Sequence, residues 1–579
     1  MNTKPNKPAS SLAGLRKLLP FLKEERGILG LSVIVVLITS TINLGAPYVF
    51  GYTVDHHISK GDYQGVFATL GLLLIAYLVS LGTSYTQMWF MGGVGQRTLF
   101  RLRTLIFTKL LQLPIAFFNR QKSGDLISRI NNDTDKLNQF FSETLVRFIG
   151  SIVVMTGSAI FLLGLNWRLG LAALIPAAAL LVYTNALSPW VKKRTKESLK
   201  AIGGLSGEVQ ESLEHFKVIV AFDRRDYFRQ RFADANDANK RAAILSGVAN
   251  ASYSPVYDFA STFAQLIVVV YGLSLISQGL MTVGLLLSFL IYISQFYGPL
   301  RHIAIMWQSF QLAVAGWDRV SEILEEDPGM EIIKAEKTKS PAVLEFRDVS
   351  FRYSENGNVL SDISFALERG KTYALVGPTG GGKTTTASLM ARLYDPSEGS
   401  ILLDGRELRS YSNEERTKKI GFILQEPFLF SGTVLDNIFY GNPDYAKASR
   451  KARLKALKET NLDGLMVRFP GGVDTEVQAG AETISLGQRQ LIAFMRAVLR
   501  KPELLILDEA TANIDTVTEQ LLEDVLSRLP KETTRVIIAH RLNTIENADG
   551  IFFVNAGRIE SAGSLEHAVE MLMHGKRKS

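Results

Sequence analysis

The chain has 579 residues, 47% of them hydrophobic, with a formal net charge of +8 and no cysteine. That length exceeds what one core supports, so at least two domains are expected, and the missing cysteines exclude a disulfide framework, a thiol nucleophile and a thiolate metal site. The basic balance does not call for nucleic acid, because a membrane-crossing chain gathers Lys and Arg in its cytoplasmic loops.

About 20 mostly apolar residues cross a hydrocarbon core as a helix. Six segments reach that length, approximately Ile28–Phe50, Val66–Met91, Leu145–Leu165, Leu169–Leu187, Pro255–Ile276 and Val283–Ile303. The polar N-terminus and the long first run, with no small-residue cleavage site, fit a span and not a cleavable signal. The fifth segment is the least regular, because Asp258 and Gln265 lie in or near it.

Loop charge sets the expected orientation. The connection after the second span carries Arg97, Arg101, Arg103, Lys109, Arg120, Lys122, Arg129 and Lys136, and the connection after the fourth is as basic, from Lys192 to Arg231. The remaining connections are short and nearly free of Lys and Arg. Positive loops stay inside, so both long connections and both termini are expected in the cytoplasm of a multi-pass cell-membrane protein. The long connections have helical periodicity and few glycines or prolines, which predicts helices that leave the membrane and reverse near Leu113–Lys122 and Glu214–Arg224. Each reversal mixes aromatic groups with charge (Phe117, Phe118 and Arg120; Phe216, Phe222 and Arg225), and exposed aromatic pairs call for a partner surface. A plain polar turn is the alternative.

The character changes after Pro328, where a charged stretch, Glu325–Pro341, reads as a linker. The expected division is residues 1–327 for the membrane domain, 328–342 for the linker and 343–579 for a nucleotide-binding domain. Short strands are predicted at Leu344–Phe346 and Val349–Tyr353. The strand Tyr373–Val376 then runs into Gly377-Pro378-Thr379-Gly380-Gly381-Gly382-Lys383-Thr384, and a helix is predicted from there, through Thr385, to Leu393. This is a phosphate loop in its required setting, strand before and helix after. Its glycines let backbone N–H groups turn toward an anion, and the helix N-terminus adds its positive dipole end. Lys383 can reach the β- and γ-phosphates, and Thr384 offers a hydroxyl to Mg²⁺.

Downstream, the apolar strand Leu504–Leu507 ends in Asp508 and Glu509. An all-apolar strand is buried on both faces, as in a parallel sheet, and acids at its C-terminal end sit where such sheets bind ligands. Asp508 is placed for Mg²⁺, and Glu509 can polarise the attacking water. His540 ends another apolar strand, Arg535–Ala539, and Gln425 follows the strand Gly421–Leu424. A γ-phosphate contact is expected of His540, and Gln425 is similarly placed. Together these features predict an all-α six-helix transmembrane domain followed by an α/β nucleotide-triphosphatase domain.

The order of these motifs resembles the nucleotide-binding domain of ATP-binding cassette transporters, and nearly the whole chain resembles a half-size exporter of that family. The resemblance rests on the phosphate loop, the Gln425 loop, a signature at Ile484-Ser485-Leu486-Gly487-Gln488, the Asp508-Glu509 pair, Ala512-Asn513-Ile514-Asp515 and His540. It implies ATP and Mg²⁺ as ligands, with Glu509, His540 and Gln425 catalytic and Thr384, Gln425 and Asp508 around the metal. It also implies that Tyr353 stacks on adenine and that Asp515 forms the D-loop. It makes the two reversals coupling helices that dock onto cassettes. Ser485, Gly487 and Gln488 precede the apolar helix Gln490–Leu499, and in this family that anion-ready end faces the γ-phosphate of a partner cassette. One loop and one signature per chain imply a dimer.

Two positions depart from the family pattern. Leu486 stands where glycine is usual, and Ala479 stands where a glutamate is usual. With the other motifs intact, a heterodimer with a second half-transporter is the expectation, and a homodimer that tolerates Leu486 is the alternative. The reading is ATP-driven export of an amphipathic compound, a drug-like molecule, lipid or peptide, by alternating access as a dimer, with membrane lipids and the transported molecule as further partners. A nucleotide-gated channel or regulatory subunit is the rival, against which Glu509 speaks. Tyr292, Gln295, Phe296 and Tyr297, with Arg301 at the inner end, suit either a cavity wall or plain helix packing.

Overall fold

The computed structural model describes residues 23–353, 357–425, 427–478, 484–508, 516–538 and 548–574. The chain forms two compact units. One takes residues up to Leu111 together with Gly124–Glu326, and the other takes Gln112–Ser123 together with the chain from Asp327 onward.

The first unit is helical. Its elements are α1 (Arg26–His56), α2 (Tyr63–Gln112), the helix α4 (Ser123–Leu165), α5 (Trp167–Glu214), α6 (Phe216–Ala221), α7 (Arg225–Ala251), α8 (Tyr253–Ser277) and α9 (Val283–Glu325); α3 (Ile115–Arg120) belongs to the other unit. Six helical stretches among the described residues are long and apolar enough to cross a membrane, as the spans predicted. They extend well past the apolar segments, as the periodicity of the long connections requires. Reversals occur at α3 and α6, inside the two predicted windows.

Packing in this unit is governed by prolines. Pro47 lies inside α1 and has no N–H, so the Asn43 carbonyl loses its helical donor. An orphan carbonyl in hydrocarbon costs several kcal/mol. Helix α9 replaces the missing donor: Gln295 Nε2 donates to the Asn43 carbonyl at 2.9 Å, and the Tyr292 hydroxyl to Leu44 at 2.6 Å. One turn further out, Ser288 Oγ donates to the Pro47 carbonyl at 2.8 Å. The two backbones touch there, since a Cβ on Gly284 would lie 2.0 Å from the Gly51 carbonyl oxygen. The Tyr297 hydroxyl donates to Ala173, a turn before Pro176 in α5, at 2.9 Å. Tyr292, Gln295 and Tyr297 thus each make a helix-packing hydrogen bond. Helix α2 behaves differently, because its apolar window buries nothing inside the chain. Its covered residues lie mostly in its second half, among them Met91, Val94, Leu102 and Ile106.

In the second unit, residues 326–341 form no regular element, yet they are strapped down. Ile333 N–H donates to the Arg409 carbonyl at 3.2 Å and Thr338 N–H to that of Gly405 at 2.8 Å. Two sheets follow. An antiparallel sheet has the order β2 (Leu360–Glu368), β1 (Ala342–Phe351), β4 (Glu398–Leu403), β5 (Arg406–Glu407). The two short strands predicted near 344–353 are one strand, β1, with a register shift between Phe346 and Val349. Asp348 takes φ +50° there, and its carboxylate accepts from Ser364 Oγ at 2.9 Å, so a bulge separates the two apolar runs.

The second sheet has the order β12 (Arg558–Ser561), β11 (Gly550–Asn555), β3 (Thr372–Val376), β10 (Thr534–Ile538), β9 (Leu504–Asp508), β6 (Ile420–Ile423). Between β5 and β9 the chain also forms the helices α11 (Asn413–Lys419), α12 (Val434–Ile438) and α13 (Arg450–Glu459) and the strand pair β7 (Gly432–Thr433) and β8 (Glu476–Val477). All neighbours in the six-stranded sheet are parallel except β11 and β12. Every residue of β9 is buried, as its apolar run predicted. The core lies around Phe346, Leu375, Leu389, Ile506 and Val536, with a second cluster around Leu465, Phe494 and Met495.

Candidate nucleotide site

The parallel strands bring Asp508, the phosphate loop and Gln425 to one edge. Asp508 pairs in register with Ile538, and Ile538 with Leu375, so the ends of β9, β10 and β3 are level. The phosphate loop begins one residue past Val376, and Gln425 lies two residues past the end of β6, exposed. Loops beyond the C-terminal ends of parallel strands are where such sheets bind ligands.

The loop shape depends on glycine at two points in particular. Gly377 has φ +148°, and a Cβ there would lie 2.0 Å from the Val554 carbonyl oxygen. Gly382 has φ +115°, and a Cβ would meet Leu360 Cδ2 at 2.7 Å. From Gly382 the helix α10 (Lys383–Met390) starts. Lys383 is 6% exposed, and its ammonium folds back onto the loop, donating to the Gly377 carbonyl at 2.9 Å and that of Pro378 at 3.1 Å. Its charge is thus held at the mouth of the loop. Thr379, Gly380 and Thr384 are exposed, and Thr385 is buried. Helix α10 ends at Met390, short of the predicted Leu393, because Arg392 takes φ +50°.

The Mg²⁺ expectation can be checked against the donors present. Thr384 offers a hydroxyl on the first turn of α10, and Asp508 a carboxylate at the end of a strand against which α10 packs. No group of three or more His, Cys, Asp or Glu stands ready for a metal among the described residues. Mg²⁺ needs no such cage, since it takes one or two carboxylates plus phosphate oxygens and water. Hard oxygen donors of this kind fit it, and the bound ion would neutralise charge between phosphates.

Tyr353, expected to stack on adenine, is 49% exposed. Its hydroxyl lies 3.1 Å from Thr385 Oγ1, which ties it to the phosphate-loop helix. Phe351 and Tyr394 both stand nearly perpendicular to its ring, with centroids 4.8 and 5.1 Å away. Sequence reasoning missed Tyr394. Burial, and then the neighbouring Tyr353, push its phenol up from the ordinary value, while the hydrogen bond from Asn119 pulls it down.

The signature helix α14 (Leu486–Arg500) starts four residues earlier than the apolar run Gln490–Leu499 suggested. Ser485 is its N-cap in a reciprocal box: Gln488 N–H donates to Ser485 Oγ at 3.3 Å, and Ser485 N–H to Gln488 Oε1 at 3.0 Å. Ser-x-x-Gln is a readable capping signal, and it would have placed this start. Leu486 and Gly487 are therefore first-turn residues, and Leu486 is absent from the positive-φ positions. Glu509, Asp515 and His540, together with Ala479 and Ala512–Ile514, lie outside the described residues. A further exposed apolar patch follows Gln425, formed by Phe428, Phe430 and Tyr440, with the last two rings stacked at 4.0 Å.

Comparison with known proteins agrees with this geometry. Residues 29–300 match the family described as the ABC transporter transmembrane region, and residues 360–512 match the one described as ABC transporter. An uncharacterised ABC transporter ATP-binding protein of Bacillus subtilis, YfiC, is 35% identical over 96% of this chain and 92% of its own length. The fatty acid ABC transporter ATP-binding/permease protein of Mycobacterium tuberculosis is 33% identical over 87% of this chain and 79% of its own. A probable multidrug resistance ABC transporter ATP-binding/permease protein of Bacillus subtilis, YheH, is 31% identical over 88% and 76%.

Proposed function

The chain belongs to the ABC transporters, with the membrane region and the ATPase fused in one polypeptide, and from that premise we propose that it exports an amphipathic compound, drug-like or lipid, by alternating access as half of a dimer. It is a multi-pass membrane ATPase whose activity is coupled to transport.

One observation carries the export reading. Helix α2 runs unbroken from an apolar window to Gln112, and the reversal that follows it packs within the nucleotide-binding unit. A mechanical link from membrane to cassette is thus continuous with a span. Residues 1–327 act as the membrane domain, 328–342 as the linker and 343–579 as the cassette. The cassette faces the cytoplasm, on the side of the basic connections.

Gly377 to Thr385 hold the phosphates, with Lys383 leaving its two carbonyls to meet the β- and γ-oxygens. Tyr353 takes the base, and Thr384, Asp508 and Gln425 surround the metal. Glu509 accepts charge from the attacking water and His540 contacts the γ-phosphate. Ser485, Gly487 and Gln488, with Asp515 nearby, are offered to a nucleotide held by the second half-transporter. An exposed surface supports the dimer: α6 presents Phe216 (58%), Val218 (55%) and, just beyond it, Phe222 (74%). That aromatic face suits the Phe428, Phe430 and Tyr440 patch of a second cassette. The relatives named for fatty acids and for multidrug resistance make a lipid or a hydrophobic drug the favoured cargo.

The test is ATP turnover by the purified chain in nanodiscs, with and without candidate amphiphiles, beside uptake into inside-out vesicles. Stimulated turnover with ATP-dependent uptake is expected. ATP binding without turnover, in the chain alone and with any partner subunit, would return the protein to the regulatory class. Orientation has its own test in this cysteine-free background: Asp62→Cys should be labelled from outside intact cells and Ser123→Cys should not.

A further inference from the structure

The turn after the phosphate-loop helix receives three attachments. Arg392 is 3% exposed at φ +50°. Its Nη2 donates at 3.0 Å to the carbonyl of Glu331, in the segment that leads into the cassette, and its Nε pairs with Asp395 at 2.9 Å. Two residues on, the Tyr394 hydroxyl accepts from Asn119 Nδ2 at 2.7 Å, and Asn119 lies on the first reversal, α3. The ring of the same tyrosine stands at 86° to Tyr353, 5.1 Å away. The covalent approach, the first reversal and the base platform therefore meet within four residues that directly follow the helix beginning at Lys383.

We infer that Tyr394 is a positioning residue that fixes the Tyr353 ring and relays occupancy of the base site to the first reversal through Asn119. The inference rests on the nucleotide-site reading and adds which part of the nucleotide is sensed, and where. An edge-to-face pair is directional, because the positive ring edge meets the negative face. A base laid on Tyr353, which is half exposed, restrains that ring, and the restraint passes to Tyr394 through this contact. Phe351 backs Tyr353 at 87°, so the ring has little freedom to absorb the change by itself. The phenol stays protonated across the physiological range, so the link to Asn119 is a neutral hydrogen bond and does not switch with pH. A ligand with phosphates and no base should leave α3 unaffected.

Hydrogen–deuterium exchange on the full chain in nanodiscs tests this, reading the amides of Ile115–Gln121. In the unsubstituted chain, ATP with Mg²⁺ is expected to slow their exchange severalfold, and tripolyphosphate with Mg²⁺ is not. Tyr394→Phe keeps the ring edge and loses the acceptor, and Asn119→Ala loses the donor. Both should bind ATP as before and lose the slowing. Tyr394→Ala also removes the ring, and should weaken ATP while sparing tripolyphosphate. Slowing that persists in both Tyr394→Phe and Asn119→Ala would overturn the relay, as would equal slowing by tripolyphosphate in the unsubstituted chain. If the unsubstituted chain bound tripolyphosphate and ATP equally well, the base platform itself would fall. If it bound neither, the nucleotide-site reading would fall with it.

Discussion

The helix α10 begins behind a loop whose glycines at 377, 380 and 382 all have positive φ, while α14 begins behind a serine that caps it through its side chain. Both starts present backbone N–H groups that an anion can meet. They differ in what else is there. At α10 a buried lysine reaches back into the loop, so charge and cradle come from the same nine residues. At α14 the side chains of Ser485 and Gln488 are engaged with each other's backbone N–H groups, and Gln488 Nε2 also donates to the Arg468 carbonyl at 2.6 Å. On the function proposed above, the first start brings cradle and charge together for a polyanion, and the second is a polar end to which a partner's nucleotide would bring the phosphate.

The strongest way to break this contrast is Lys383→Ala, which should leave the cradle intact and remove its charge. A preorganised charge of this kind is worth about 10²–10³-fold in rate, so turnover should fall by about that much and ATP should bind more weakly. Unchanged ATP affinity and turnover would mean that the loop at 377–384 is not the phosphate site. Gly377→Ala attacks the cradle itself. The added Cβ would sit 2.0 Å from backbone in β11, and φ +148° is foreign to alanine. Strain at such positions costs about 1–3 kcal/mol, and thermal unfolding should show it as a lowered Tm. A variant with unaltered Tm and ATP affinity would show that the loop tolerates a side chain.

Ser485→Ala should be milder. Loss of an N-cap costs about 1 kcal/mol, and the Gln488 N–H loses its acceptor. The expected result is a small drop in Tm with ATP binding to the chain's own phosphate loop unchanged. Lost binding at that loop would mean that the two starts are not independent.

How legible each start was follows from the same physics. Glycines needed for positive φ announce themselves, so the phosphate loop and its flanking strand and helix could be placed closely from sequence. The capping box at 485–488 was equally local, and the apolar run at 490–499 drew attention past it. The end of α10 was not readable, because no glycine or proline stands between Lys383 and Pro396 and the break is made by Arg392, held by the Glu331 and Tyr411 carbonyls. The roles of Tyr292 and Gln295 were undecidable for another reason. Their partners are the carbonyls of Asn43, freed by Pro47, and of its neighbour Leu44, about 250 residues earlier, and only the packed unit brings them together. Tyr394 carried no signal, since its importance comes from Asn119 and Tyr353, which are distant in sequence.

The smallest expected effect, and the one that most sharpens the contrast, is at Leu486. The side chain sits at the first helical position after the Ser485 cap, with no positive φ to strain it. The cost of having leucine there is consequently not conformational. On the function proposed above, it lies in the isobutyl group beside N–H donors that would come close to a partner's phosphate, where a missing Cβ helps. Leu486→Gly should leave folding nearly untouched, because helix propensity weighs little at a terminus, and should widen access to those donors. If this chain is one half of a heterodimer, it should hydrolyse ATP slowly when purified alone, and Leu486→Gly should raise that rate severalfold. A partner with an intact signature should raise it further without any substitution. If the chain alone shows robust, cooperative turnover that Leu486→Gly hardly changes, the homodimer stands, and the start of α14 accepts a phosphate with leucine in place.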